Sequence, residues 1–171
     1  VGVLVITPTR ELAIQIHEEL KKLNILHSIG IGLLIGGNPR PTDVANIVKG
    51  MTICIGTPGR LLDHIQRTQE FDVSNLSMLI IDEADRILEE GYSIEINKIL
   101  LKLPKKNRQT ALFSATQTKK TEDLIRLSFD SKPKIVSTND SNLMHKGNIP
   151  TRMDLIQGYI VVNLAKKFLL L

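Results

Sequence analysis

Apolar residues fall along this chain in short unbroken runs, and between the runs they recur at helical spacing. Residues 1–6 (VGVLVI) read as a buried strand, after which Leu12, Ile16, Leu20 and Leu23 mark one face of a helix. The pattern repeats. Residues 29–35 predict a second strand closed by Gly36-Gly37, residues 43–48 a short helix, and residues 52–55 a third strand. A helix over 58–66, a strand over 78–81 and a helix over 94–103 follow. Residues 110–113 predict a further strand, and Thr118 is placed to cap the helix that carries Leu124, Ile125 and Leu127. Residues 134–136 close the series as a last strand. Strands that are apolar throughout, rather than alternating, belong to sheets buried on both faces. The expected fold is therefore α/β, a parallel sheet flanked by helices.

Beyond residue 136 the pattern lapses into Ser, Asn, Asp, Lys and Gly without periodic apolar positions. The expected organisation is one domain over 1–138, a linker over 139–152 and the start of a second unit over 153–171. In that second unit residues 155–162 read as a strand and residues 165–171 as the opening of a helix.

Composition narrows the function. With 171 residues, 42% hydrophobic and 23% charged, the chain is long enough for a core and too apolar for disorder. The single cysteine, Cys54, excludes an intrachain disulfide framework and a Cys-rich zinc site. It lies in an apolar strand, which favours a buried inert thiol. His17, His27, His64 and His145 have no metal-ligand spacing, and His17 and His64 fit surface or packing positions in helices. No run is long enough to span a bilayer and no secretory leader is expected. Aromatics are 4%, with no Trp, which argues against a base-stacking platform. A net charge of +4 permits an anionic partner without requiring one.

Chemistry concentrates where the strands end, the edge at which open α/β sheets bind ligands. The first strand runs into Thr7-Pro8-Thr9-Arg10 and the third into Thr57-Pro58-Gly59-Arg60. Each sets Thr-Pro at a helix start, where proline suits the first position and the free N–H groups attract anions. Arg10 and Arg60 would add charge-assisted hydrogen bonds. One such site is explained by helix capping alone; two on one edge suggest two phosphates of a polymer. The fourth strand delivers Asp82-Glu83-Ala84-Asp85, adjacent carboxylates of the kind that serve Mg²⁺ and an attacking water in nucleotide hydrolysis. The alternative is an acidic helix start favoured by the dipole. Ser114-Ala115-Thr116 puts two hydroxyls at the fifth tip, to cap the next helix or to bind Asp85.

Together Pro8-Thr9-Arg10-Glu11-Leu12-Ala13, Gly36-Gly37, Thr57-Pro58-Gly59-Arg60, Asp82-Glu83-Ala84-Asp85 and Ser114-Ala115-Thr116 resemble, in identity, order and spacing, the DEAD-box RNA helicases. Residues 59–66, 81–88, 112–119 and 157–171 look like the Has-type nucleolar branch, which acts in pre-ribosomal RNA processing. The resemblance implies a RecA-like fold of the P-loop NTPase type and ATP and Mg²⁺ as cofactors. It implies RNA as a sequence-independent partner, pre-ribosomal proteins as further partners, no membrane, and a place in the nucleus, at the nucleolus. Asp82 would hold Mg²⁺ through water and Glu83 would act on the hydrolytic water. Asp85 would pair with the Ser114 and Thr116 hydroxyls and couple ATP state to RNA binding. Thr9, Arg10, Gly37, Thr57, Gly59 and Arg60 would grip the RNA backbone.

A G-x-x-x-x-G-K-[ST] phosphate loop occurs nowhere in these residues. By the resemblance, the first RecA-like domain is then incomplete on its N-terminal side, residues 153–171 open the second, and the chain alone turns over no ATP. Residues 110–113 would present an unpaired apolar edge. A non-catalytic RNA- or protein-binding module with the helicase fold is the alternative reading, and a DNA helicase of the same superfamily a third.

Overall fold

The computed structural model describes residues 1–26, 28–137, 156, 158–163 and 166. It falls into two units, Val1–Lys134 and Ile135–Leu171. In the first, the elements run β1 (Val3–Ile6), α1 (Arg10–Leu23), a 3-10 turn (Asn24–Leu26), β2 (Ile31–Leu34), α2 (Arg40–Val48), β3 (Ile53–Gly56) and α3 (Pro58–Arg67). β4 (Met78–Ile81), α4 (Ala84–Glu89), α5 (Ser93–Lys102), β5 (Gln109–Leu112) and α6 (Lys119–Ser128) follow. All five strands pair in parallel, in the order β2-β3-β1-β4-β5.

Both faces of the central strands β1 and β3 are buried, which is why they do not alternate apolar and polar, while β5 at the edge has no buried residue. Leu4, Ile6, Leu34, Cys54, Leu79 and Ile81 point into one core with Leu61 of α3, Ile87 of α4, Ile96 and Ile99 of α5 and Leu124 of α6. Val5, Ile35 and Ile55 point into the other, against Ala13, Ile16 and Leu20 of α1. The register decides where the chemistry goes. Ile6 lies opposite both Gly56 and Ile81, Gly56 opposite Leu34, and Ile81 opposite Leu112. Every strand thus stops at the same level, and the polar residues after each meet along one edge. Gly56 is required there, because a Cβ would run into the Leu34 carbonyl oxygen and the Leu61 side chain.

Three expectations are corrected. Residues 134–136 form no strand: Ile135 and Val136 are exposed, and an apolar run becomes a strand only where a sheet edge receives it. In the second unit the described residues of 155–162 form none either, with Ile156, Tyr159, Ile160 and Val161 exposed. Pro58 is the first residue of α3, but Pro8 precedes the cap of α1 rather than starting the helix. The expected linker over 139–152, His27, His145 and most of the expected helix over 165–171 lie outside the described residues. Among the described residues, no helix is long and apolar enough to cross a membrane.

Candidate functional site

Two helices begin side by side at the sheet edge. Thr9 caps α1, its hydroxyl accepting the Leu12 amide at 3.3 Å, and Thr57 caps α3 without using its hydroxyl. Between them opens a cleft of about 580 Å³ lined by Thr9, Arg10, Thr57, Gly59 and Arg60. Five of the six sequence-predicted RNA-grip residues therefore meet on one surface. The sixth, Gly37, stands behind Arg10. It has φ +95°, and a Cβ built on it would lie 3.0 Å from Arg10 Nη1; one on Gly36 would lie 3.0 Å from Nη2. The missing side chains make the bed on which the guanidinium lies.

Arg60 is held differently. Its Nε donates to Asp43 Oδ2 at 2.7 Å and its Nη2 to the Asn38 carbonyl at 2.6 Å. Asp43 is 1% exposed and His64, 0% exposed, meets the same oxygen at 3.2 Å. Asp43 can only accept, so His64 Nε2 carries the ring proton and Nδ1 accepts from the Thr68 hydroxyl at 2.9 Å. Thr68 in turn accepts Arg40 Nη2 at 2.9 Å, and Arg40 Nε donates to Asp63 at 3.0 Å. Burial pushes the His64 imidazole below its usual pKa, partly offset by Asp43. Burial alone would raise the Asp63 carboxyl, but the hydrogen bond and charge of Arg40 outweigh it and hold it low.

The acidic strand tip lies on the same edge. Asp82 accepts the Glu83 amide on Oδ1 at 3.0 Å. Glu83 caps α4 in the left-handed region, φ 47° and ψ 54°, a conformation costly for a side chain other than glycine or asparagine. Ala84 donates to the Phe113 carbonyl at 2.9 Å, which ties the start of α4 to the end of β5. Asp85 Oδ2 accepts both the Thr116 amide at 3.0 Å and the Thr116 hydroxyl at 2.9 Å. Burial would raise the Asp85 carboxyl; hydrogen bonds from the Thr116 hydroxyl and from the Arg86 and Thr116 amides more than compensate, and its pKa is lowered. Ser114 does not join. Its hydroxyl donates to the Thr116 carbonyl at 2.8 Å, shaping the loop that presents Thr116.

Among the described residues no three His, Cys, Asp or Glu converge to hold a metal. The Asp82 carboxylate at the strand tip, which accepts one amide on Oδ1, fits the sparse protein ligation of a Mg²⁺ that would arrive with a nucleotide and keep most of its waters.

Sequence reasoning missed the layer beneath Arg60, namely Asp43, His64, Thr68 and Arg40. One signal was available: Arg60 and His64 stand four apart on one face of α3, and Thr68, four further on, is its C-cap. Glu90 and Tyr92, which also line the cleft, come from the α4–α5 turn and carry no motif.

The profile of the DEAD/DEAH box helicase family matches residues 1–124. The chain belongs to that family. "ATP-dependent RNA helicase has1" of Schizosaccharomyces pombe is 48% identical over 170 residues, 99% of this chain and 28% of that protein. "ATP-dependent RNA helicase HAS1" of Saccharomyces cerevisiae is 47% identical, over 99% of this chain and 33% of that protein. The crystal structure of a DEAD box protein from the hyperthermophile Methanococcus jannaschii superposes with a TM-score of 0.71 at 34% identity, covering 76% of this chain and 35% of that one. The fold is thus the RecA-like one of DEAD-box helicases, as the motifs led one to expect. This DEAD-box chain spans about a quarter to a third of the length of the curated relatives it matches.

Proposed function

We infer that this chain supplies the RNA grip and the hydrolytic carboxylates of an ATP-dependent RNA helicase acting in pre-ribosomal RNA processing at the nucleolus. One observation carries the reading: two helix N-termini, each with an arginine, open onto one cleft. Partial positive charge at both helix starts, reinforced by Arg10 and Arg60, suits two backbone phosphates. Thr9, Gly37, Thr57 and Gly59 complete the grip through hydroxyls and close backbone approach. Phosphate contacts carry no base information, so binding is independent of sequence.

Asp82 would hold the Mg²⁺ that accompanies ATP, and Glu83 would orient the attacking water and take its proton. Asp85 and Thr116 bind the acidic tip to the fifth strand, so that nucleotide state reaches the RNA edge; Ser114 acts by shaping the Thr116 loop. Residues 1–138 form part of the first RecA-like domain, 139–152 the linker and 153–171 the opening of the second. Because no glycine-rich phosphate loop occurs among these residues, the chain by itself turns over no ATP. Pre-ribosomal proteins are its further partners.

Fluorescence anisotropy with labelled single-stranded RNAs of unrelated sequence tests the grip. All should bind alike, and Arg60→Glu should weaken them equally. Arg60→Ala should lower the slope of log K against log salt by about 0.7 for the phosphate contact removed. Unchanged affinity in Arg60→Glu would refute the reading.

A further inference from the structure

We propose that Asp43 and His64 are positioning residues for RNA binding, setting the Arg60 guanidinium in the one orientation that serves the cleft. The inference rests on the reading of Arg60 as a phosphate ligand and extends it to two buried side chains that touch no RNA.

Arg60 offers five N–H donors. Asp43 takes Nε and the Asn38 carbonyl takes one hydrogen of Nη2, which leaves three for the cleft that Arg60 lines. The Arg60 side chain is only 16% exposed, so its plane is set by Asp43 of α2 and by the Asn38 carbonyl just before that helix, ahead of any ligand. Asp43 is itself fixed by His64, and His64 by Thr68, in a chain where each donor meets one acceptor. Arg10 provides the contrast: it is exposed and makes no ion pair among the described residues. A pre-oriented guanidinium loses less freedom on binding than a free one. That advantage explains an otherwise adverse feature, a carboxylate placed 2.7 Å behind an arginine meant for anions. Electrostatics alone predicts that removing the charge of Asp43 strengthens RNA binding. Positioning predicts the opposite.

The difference in sign is the test. A labelled single-stranded RNA is titrated into this chain and its Asp43→Asn, Arg60→Ala and double variants, with thermal unfolding to verify folding. Asp43→Asn should weaken binding about tenfold despite adding a net positive charge, on the scale of one charge-assisted hydrogen bond. In the Arg60→Ala background Asp43→Asn should cost nothing further, whereas in an Arg10→Ala background its full factor should persist. Binding by Asp43→Asn as tight as the parent, or an equal loss without Arg60, overturns the proposal. Unchanged binding by Arg60→Ala overturns it at its base, together with the RNA reading of Arg60, and is distinguishable from the first failure. Should Asp43→Asn not unfold cooperatively, the pair His64→Leu and His64→Gln decides. Leucine leaves Asp43 without its second donor and should weaken binding several-fold, while the glutamine amide should restore it. Equal affinity of the two overturns the proposal.

Discussion

Replacing Thr116 by valine removes one hydroxyl and little volume. The Asp85 carboxylate loses a bond of 2.9 Å but keeps the Thr116 amide at 3.0 Å and the Arg86 amide at 3.2 Å. Asp85 is 8% exposed, so water replaces the missing donor only in part. A hydrogen bond to a charged group contributes about 1.5–3 kcal/mol, and partial rehydration places the loss near the lower end, about 1.5–2.5 kcal/mol. For a unit of this size about 3–4 °C accompanies each kcal/mol, so the melting temperature should fall by about 5–10 °C. The control is Ser114→Ala. That hydroxyl is exposed and bonded only within its own loop, so its loss should stay within about 0.5 kcal/mol. The pH dependence gives a second reading. The folded Asp85 pKa is depressed, so the stability it contributes is present above the unfolded value of about 3.9 and is lost as pH falls through the folded value. The gap between parent and Thr116→Val should therefore be constant near neutrality and close as the solution is acidified. Unfolding of the three proteins by urea between neutral and acidic pH measures both. A Ser114→Ala loss equal to that of Thr116→Val would show that both hydroxyls share the carboxylate. A gap that ignores pH would refute the role of the charge.

Four further outcomes follow from local geometry. Glu83→Gly should match or exceed the parent in urea stability, by up to about 1 kcal/mol, since glycine adopts the left-handed cap freely; a less stable variant would show that this conformer carries no strain. Gly37→Ala should destabilise by about 1 kcal/mol or more, because φ is +95° and the new methyl meets Arg10, and it should weaken RNA binding in the same anisotropy assay. Cys54 is fully buried and burial pushes its thiol up, so an aromatic disulfide reagent should label it only at the rate of unfolding; rapid labelling of native protein would contradict this. His64 is held neutral, so its contribution to stability is complete above about pH 6.5 and is lost as pH falls from there toward its lowered folded value. His17, also lowered chiefly by burial, gives a slope of the same sign, so the readout is the part of the slope that His64→Gln removes.

The sheet was legible because β1 to β4 are short apolar runs bounded by polar punctuation, and Met78–Ile81 is the run itself. The site was legible for a related reason: strands of equal register bring whatever follows them to one edge, so motifs distant in sequence must meet. The reasoning failed where an outcome depends on a neighbour. Among the described residues, Ile135 and Val136 are apolar yet exposed and pair with no strand. Ser114 and Thr116 are chemically equivalent in the sequence, and only the path of the loop decides which one reaches Asp85. Asp43 and His64 looked like ordinary helix residues because the pair joins α2 to α3 through side chains, and neither helix announces the other.

The two arginines of the cleft show how differently one requirement can be met. Arg10 lies where two glycines leave room; its placement comes from side chains that are absent, which a sequence displays openly as Gly36-Gly37. Arg60 is placed by partners that are present, and the contacts that orient it come from Asn38 and Asp43, about one helix earlier in the chain. The first device leaves the guanidinium exposed and adaptable, whereas the second restricts it before binding. On the proposed RNA reading, a cleft built from one of each would follow an irregular backbone with Arg10 while Arg60 kept the register of the phosphate at the start of α3. If so, loss of Arg10 should lower affinity across all single strands, while loss of the Asp43 support should penalise most those whose backbone is held stiff.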